Sequence, residues 1–175
     1  LTNNTTISPI VTKLYRGDQA LNQVNDFFFQ QKWATLLQET ASFSICQSAD
    51  FVLPWYELYT QFEPVVLSCS QGQKLVGLIC LAWHKTEKFL THAGHIDAEY
   101  HGWLALADSE VTFLQQVFIL VHKQFSLNNW AWRWLPPHAN VTALKAALPN
   151  HISYSLEEQD SPIWDLTQTE KLAKI

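Results

Sequence analysis

"PVVLSCSQGQKLVGLICLAW", residues 64–83, decides the fold. Two runs rich in Val, Leu, Ile and Cys flank Gln71-Gly72-Gln73-Lys74. A glycine at the first central position of a two-residue loop supplies the positive φ of a type II′ turn, and that turn matches the twist of paired strands. The stretch therefore predicts a β-hairpin that turns at Gly72-Gln73. In that register Cys69 faces Val76 and Val65 faces Cys80, so Cys69 and Cys80 are not opposed and no cross-strand disulfide follows. The second run, Leu75 to Trp83, is apolar on both faces. A strand buried on both sides belongs in the middle of its sheet.

Upstream, "IVTKLYRG", residues 10–17, predicts a first strand ending at Gly17. Asp18 then caps a helix from about Gln19, in which Leu21, Val24 and Phe28 follow helical spacing. Trp33, Leu36 and Leu37 continue an apolar face after a break near Gln30 to Lys32. "SADFVLPWYELYTQF", residues 48–62, predicts a second helix with Trp55, Leu58, Tyr59 and Phe62 on one face. Pro54 must sit in its first turn or kink it, because proline has no N–H to donate.

Downstream, "KFLTHAG", residues 88–94, predicts a short strand ending at Gly94. "DSEVTFLQQVFILVHKQF", residues 108–125, carries the strongest helical signal. Asp108 is its cap candidate, Glu110 suits the positive end of the helix, and His122 and Lys123 suit the other. Val111, Leu114, Val117, Phe118, Val121 and Phe125 make its core stripe. "WAWRWLPP", residues 130–137, predicts a strand with Trp130, Trp132 and Trp134 on one face. Core packing is the plainer reading of that row, and stacking against a sugar is the alternative. "NVTALKAAL", residues 140–148, predicts a short helix capped by Asn140, and strands follow at 151–157 and 162–166. This order predicts an α/β (mixed α+β) fold with a mixed, mostly antiparallel sheet and helices on both faces. Residues 1–9 read as a flexible lead-in, 10–167 as a single domain and 168–175 as a tail or linker.

Composition narrows the function classes. The net charge is −5, Arg16 and Arg133 are the only arginines, and no basic cluster marks a nucleic-acid surface. The longest apolar run, Leu75 to Trp83, is far too short to span a bilayer, and the N-terminus shows no signal-peptide core. Three cysteines with no Cys-x-x-Cys spacing read as free thiols in a reducing compartment, so a cytoplasmic location is expected. Methionine is absent throughout, which suggests a processed chain, a non-standard start or a segment of something longer.

The chemistry-bearing motif is "HAGHIDAEYHGW", residues 92–103. Read as an extended segment, it places Asp97, Glu99 and His101 on one face. Glu99 and His101 are the candidates for general acid–base catalysis; His92, Asp97, Tyr100 and Trp103 are the candidates for substrate contact. A solvated strand end is the plainer alternative. No His-Glu-x-x-His spacing is present, and a metal is not expected. A Gly-x-Ser-x-Gly elbow is missing, and so is any glycine-rich loop opening a helix, the backbone device that cradles a pyrophosphate.

Taken in order, several segments resemble one family. "KWATLLQETASFSICQSADFVLPWYELYTQFEPVVLSCSQGQKLVGLICLAW", then Gly94, Ala98-Glu99-Tyr100, the "LP" strand end and "IWDL", are similar to the N-terminal part of CelD-like acyltransferases, GNAT-related proteins linked to cellulose biosynthesis. The resemblance spans residues 30–167. It implies a GNAT-like fold and kinship with Fem-type peptidyltransferases, which carry two such domains in tandem. In that architecture the acetyl-CoA or other acyl-CoA site belongs to the C-terminal domain, and the degenerate N-terminal one shapes the substrate cleft. The resemblance thus implies a partner, either a second GNAT-like domain or the other protomer of a homodimer. A complete small N-acetyltransferase with a non-standard cofactor site and Glu99 as base is one alternative. A non-catalytic carbohydrate- or partner-binding module is another.

Overall fold

The computed structural model describes residues 8–150 apart from Ser42, 126–129 and Pro137, together with Ser153, Ser155 and Glu157. The strand expected at 162–166 and the tail at 168–175 lie outside the described residues, as do most of the lead-in and residues 151, 152, 154 and 156 of the strand expected at 151–157.

The hairpin forms the centre. Strand β1 (Ile10–Arg16) pairs with β2 (Phe62–Gln71), and β2 pairs with β3 (Lys74–His84). Two short strands, β4 (Leu90–His92) and β5 (Leu104–Ala105), both pair with β3, which is therefore central as its apolar run requires. Every described pairing is antiparallel. At the turn Gln71 opposes Lys74, and Gly72 takes φ 59°. The expected register holds only there. A bulge between Cys69 and Ser70 leaves Val76 as the extra residue, so Cys69 opposes Gly77 and Val65 opposes Leu81. A bulge inserts one residue and shifts every pair beyond it. Cys69 and Cys80 remain unopposed, and the described cysteines are free thiols.

Among the described residues five α-helices cover both faces of this sheet. Helices α1 (Asp18–Asn25), α2 (Phe27–Glu39) and α3 (Ala49–Leu58) pack Val24, Trp33, Leu36, Val52 and Trp55 onto Val66, Leu78 and Ala82. On the opposite face α4 (Glu110–Phe125) and α5 (Val141–Ala147) pack Phe113, Leu114, Val117 and Ala147 onto Val65, Leu67, Ile79 and Leu81. Gly77 permits the close approach of α4, since a Cβ there would fall 2.6 Å from the Phe113 ring. Phe113 was not in the expected stripe; it is fully buried, whereas Val111 and Phe125 are only partly covered. Among the described residues no helix is long and apolar enough to cross a membrane.

Local departures have local causes. Gly17, at φ 56°, precedes α1 and Asp18 lies inside its first turn without capping it. The break between the first two helices falls at Asp26, whose side chain accepts from the Phe29 N–H and caps α2, rather than near Gln30. Pro54 lies beyond the first turn of α3. Its missing N–H would have served the Asp50 carbonyl, and both residues are exposed, so water can take that bond. Asn140 caps α5 through the Ala143 N–H, as expected. Residues 130–136 form no strand. The amide of Arg133 donates to a side chain instead of a ladder, and Trp134 turns away at φ 49°.

Candidate functional site

Strands β4 and β5 oppose neighbouring stretches of the same strand, Leu81–Trp83 and Gly77–Leu78. They are two pieces of one sheet edge. Residues 93–103, most of the histidine-rich motif, form an excursion between them.

The excursion opens with a tight turn. The His95 N–H donates to the His92 carbonyl, and the Asp97 and Ala98 N–H groups both donate to that of Gly94. Gly94 takes φ 98° and His95 φ 41°. Gly94 suits this position because a Cβ there would lie 2.5 Å from the Ala98 Cβ. The segment is therefore not extended, and Asp97, Glu99 and His101 do not share a face. Asp97 and Glu99 are exposed, while His101 points inward at 1% exposure.

His101 is a clip. Its Nε2 lies 2.8 Å from the His95 carbonyl oxygen, and its Nδ1 accepts the Arg133 N–H at 3.0 Å. A carbonyl only accepts and an amide only donates, so the ring is the neutral Nε2–H tautomer. Its own amide donates to the carbonyls of Arg133 and Trp134. With both ring nitrogens committed to backbone, His101 has no lone pair or proton free for a substrate. The expectation that it serves as a catalytic acid or base fails on this geometry. Burial, above all, pushes its pKa down.

His92 stacks on His101 at 4.6 Å and meets Trp132 edge-on at 4.9 Å. It is 3% exposed, and neither ring nitrogen has a hydrogen-bond partner among the described residues. Burial first, then the neighbouring His101, lowers its pKa well below the ordinary imidazole value. His92 borders an enclosed cavity of about 10 Å³ together with Cys46, Gln47, Cys80, Tyr100 and Gly102. That is room for one water-sized molecule. A substrate cannot reach His92 in this conformation. Burial of its thiol also holds half-buried Cys80 far above its ordinary pKa, which leaves it a poor nucleophile.

Further side-chain bonds fasten the excursion. Trp103, buried at its end, donates through Nε1 to Glu110 Oε1 at 2.8 Å, and Asn140 donates to Glu110 Oε2 at 2.7 Å. Gln47 donates from Nε2 to the carbonyl of half-buried Tyr100 at 3.0 Å. Asp97 Oδ2 accepts the Trp55 Nε1–H at 3.1 Å and also bonds the Tyr59 hydroxyl, whose pKa it raises. Trp103 is thus an anchor rather than a substrate contact. Of the expected site residues, only Asp97, Glu99 and part of Tyr100 reach the surface. Glu99 has no hydrogen bond or ion pair among the described residues. Asp97 and Glu99 thus form an exposed carboxylate rim on the excursion, and Trp134, whose carbonyl accepts the His101 N–H, is exposed at 54% on the neighbouring segment.

Gln47, Trp55 and Arg133 lie far from the motif in sequence, and nothing in their local pattern marks them as its partners. The one legible hint was Glu110 at a helix start, read there as a dipole partner. Among the described residues no group of three His, Cys, Asp or Glu side chains is placed to hold a metal ion. A separate open cleft of about 790 Å³ lies between the β1–α1 turn and the start of β2, walled by the Arg16–Glu63 pair and Lys85. It shares no residue with the motif.

No protein family, characterised protein or solved structure matches the chain.

Proposed function

We propose that this chain is a GNAT-like domain of an acyltransferase that contributes substrate binding or a domain interface, with the acyl-CoA carried by a second domain. Three features support the GNAT-like reading: the order β-α-α-α-β-β-β-β before the long helix α4, the antiparallel sheet, and the Glu99-Tyr100 pair at the interrupted sheet edge. The observation that carries the division of labour is the start of α4. A pyrophosphate needs bare N–H groups at a helix N-terminus. Here the approach is Leu106-Ala107-Asp108-Ser109, with no glycine, and the first helical residue is Glu110. Its carboxylate is 7% exposed and already engaged by Trp103 and Asn140. A second anionic group at that end would meet Asp108 and Glu110 together.

Titration calorimetry of the chain with acetyl-CoA tests this division. The expected result is no stoichiometric binding at micromolar concentrations, and tight one-to-one binding overturns it. The exposed rim of Asp97 and Glu99 is the surface we assign to substrate or partner. Trp130 and Trp132 are half-buried and packed against the core, which takes much of the aromatic row away from the surface a sugar-binding module would present.

A further inference from the structure

We infer that the stacked pair His92–His101 is a proton-operated latch, which holds the excursion 93–103 against the segment 130–135 while both rings are neutral and releases it on acidification. The inference stands on how the pair is wired. His101 is the crosslink between two stretches that share no strand ladder: Nε2–H holds the His95 carbonyl on one side, and Nδ1 holds the Arg133 N–H on the other. The Nδ1 bond exists only in the neutral ring. A proton there sets N–H against N–H and expels Arg133.

The environment of the pair rejects charge from every side. His92 lies flat on His101 at 4.6 Å, so a proton on one ring penalises a proton on the other. Trp130 and Trp132 pack against His92 from the 130–135 segment, whose one ionisable side chain, Arg133, is itself a cation. From the excursion comes His95, a further base, while Asp97 is engaged by Trp55 and Tyr59. Across the cavity β3 and the 45–47 turn offer only the thiols of Cys80 and Cys46, and the excursion adds Tyr100. On α4, both oxygens of Glu110 are taken by Trp103 and Asn140. Among the described residues no carboxylate pairs with either ring. The lowered pKa of both groups agrees with this arrangement, burial being the main cause in each. The strained φ of His95, at one end of the clip, and of Trp134, next to Arg133 at the other, supplies a reason for the stretches to part once the bond is lost.

Amide hydrogen exchange read residue by residue tests the latch. Protection of the His101 and Arg133 amides should fall by roughly tenfold or more between about pH 7 and pH 5, after correction for intrinsic rates, while amides in the middle of α4 stay protected. In His101→Gln that step should disappear. No step in the unsubstituted chain, a step of equal size in His101→Gln, or simultaneous loss of protection in α4 each overturns the inference. Ring nitrogen shifts of the unsubstituted chain give a check that needs no variant. At neutral pH His101 should be the Nε2–H tautomer, and a charged ring or the opposite tautomer overturns the latch.

Discussion

The two sides of β3 are built on different principles. On one side β2 runs beside it from the pair Phe62–His84 to the pair Gln71–Lys74, with a single bulge. On the other, β4 and β5 cover only short stretches, and the chain leaves the sheet between them. The first side is held by a backbone ladder and by apolar side chains that alternate between two cores. The second is held by individual side chains that reach out to backbone: Gln47 to Tyr100, and His101 to His95 and Arg133. Many residues could serve the first purpose at each position, whereas the second needs these donors and acceptors at these places. Three of the described residues with positive φ, Gly94, His95 and Trp134, belong to the second side or touch it. Costly backbone retained beside individually fastened side chains is the pattern of a site rather than of a scaffold.

The largest expected effect lies on the regular side. Leu67 is fully buried in β2 and opposes Ile79. Leu67→Ala should lower the unfolding free energy by ~2–5 kcal/mol, measured by urea titration, because lost transfer energy and a residual cavity add. The loss should be global, with exchange protection falling in the hairpin and in α4 alike.

His101→Leu should behave differently. It leaves the His95 carbonyl and the Arg133 N–H without their partner, at ~1–3 kcal/mol for each group that stays buried. Its loss of protection should concentrate in residues 93–103 and 130–135 and spare the β2–β3 ladder. A uniform loss across the sheet would show that the two sides are one cooperative unit, and the contrast drawn above would fail.

The same division explains what could be read in advance. The hairpin, the central position of β3, the Asn140 cap and, apart from Phe113, the core-facing stripe of α4 are consequences of local pattern and were legible. The bulge at Val76 was not, since nothing in Cys69 to Gly77 distinguishes a bulged register from a plain one before α4 and Phe113 are in place. The motif was legible as unusual but not in its roles. Period-two reasoning put His101 beside Asp97 and Glu99; the turn at Gly94 and His95 abolishes that period. The partners that turn His101 and Trp103 into anchors, Arg133 and Glu110, come from other segments. One sequence does not state such pairings.

A smaller effect is expected from pH. Both His92 and His101 titrate below 6.5 in the folded chain, mainly through burial, and near that value when unfolded. The unfolded state therefore binds more protons below that point, so stability is full above it and declines as pH falls. Each ring contributes at most ~1.4 kcal/mol per pH unit until its own folded pKa is reached. Urea titrations at several pH values should show this slope in the unsubstituted chain and a shallower one in His101→Leu. An equal slope in both would remove His101 from the account.

The smallest effect on stability should come from the residue with the strongest claim on function. Glu99 is exposed and makes no hydrogen bond or ion pair with a described residue, so Glu99→Gln should change the unfolding free energy by no more than ~0.5 kcal/mol. Yet Glu99 sits on a segment whose every other contact is costly to lose. Its neighbour Tyr100 is held by Gln47, and the chain two residues on is held by the clip at His101. A side chain that bonds no described residue, on an excursion that is otherwise fastened, contributes little to the fold. If Glu99→Gln proves as destabilising as His101→Leu, Glu99 has a hidden structural role and the rim loses its claim. If stability is unchanged, the carboxylate is free to meet a substrate or partner, and the division between a scaffold side and a site side of β3 becomes sharper.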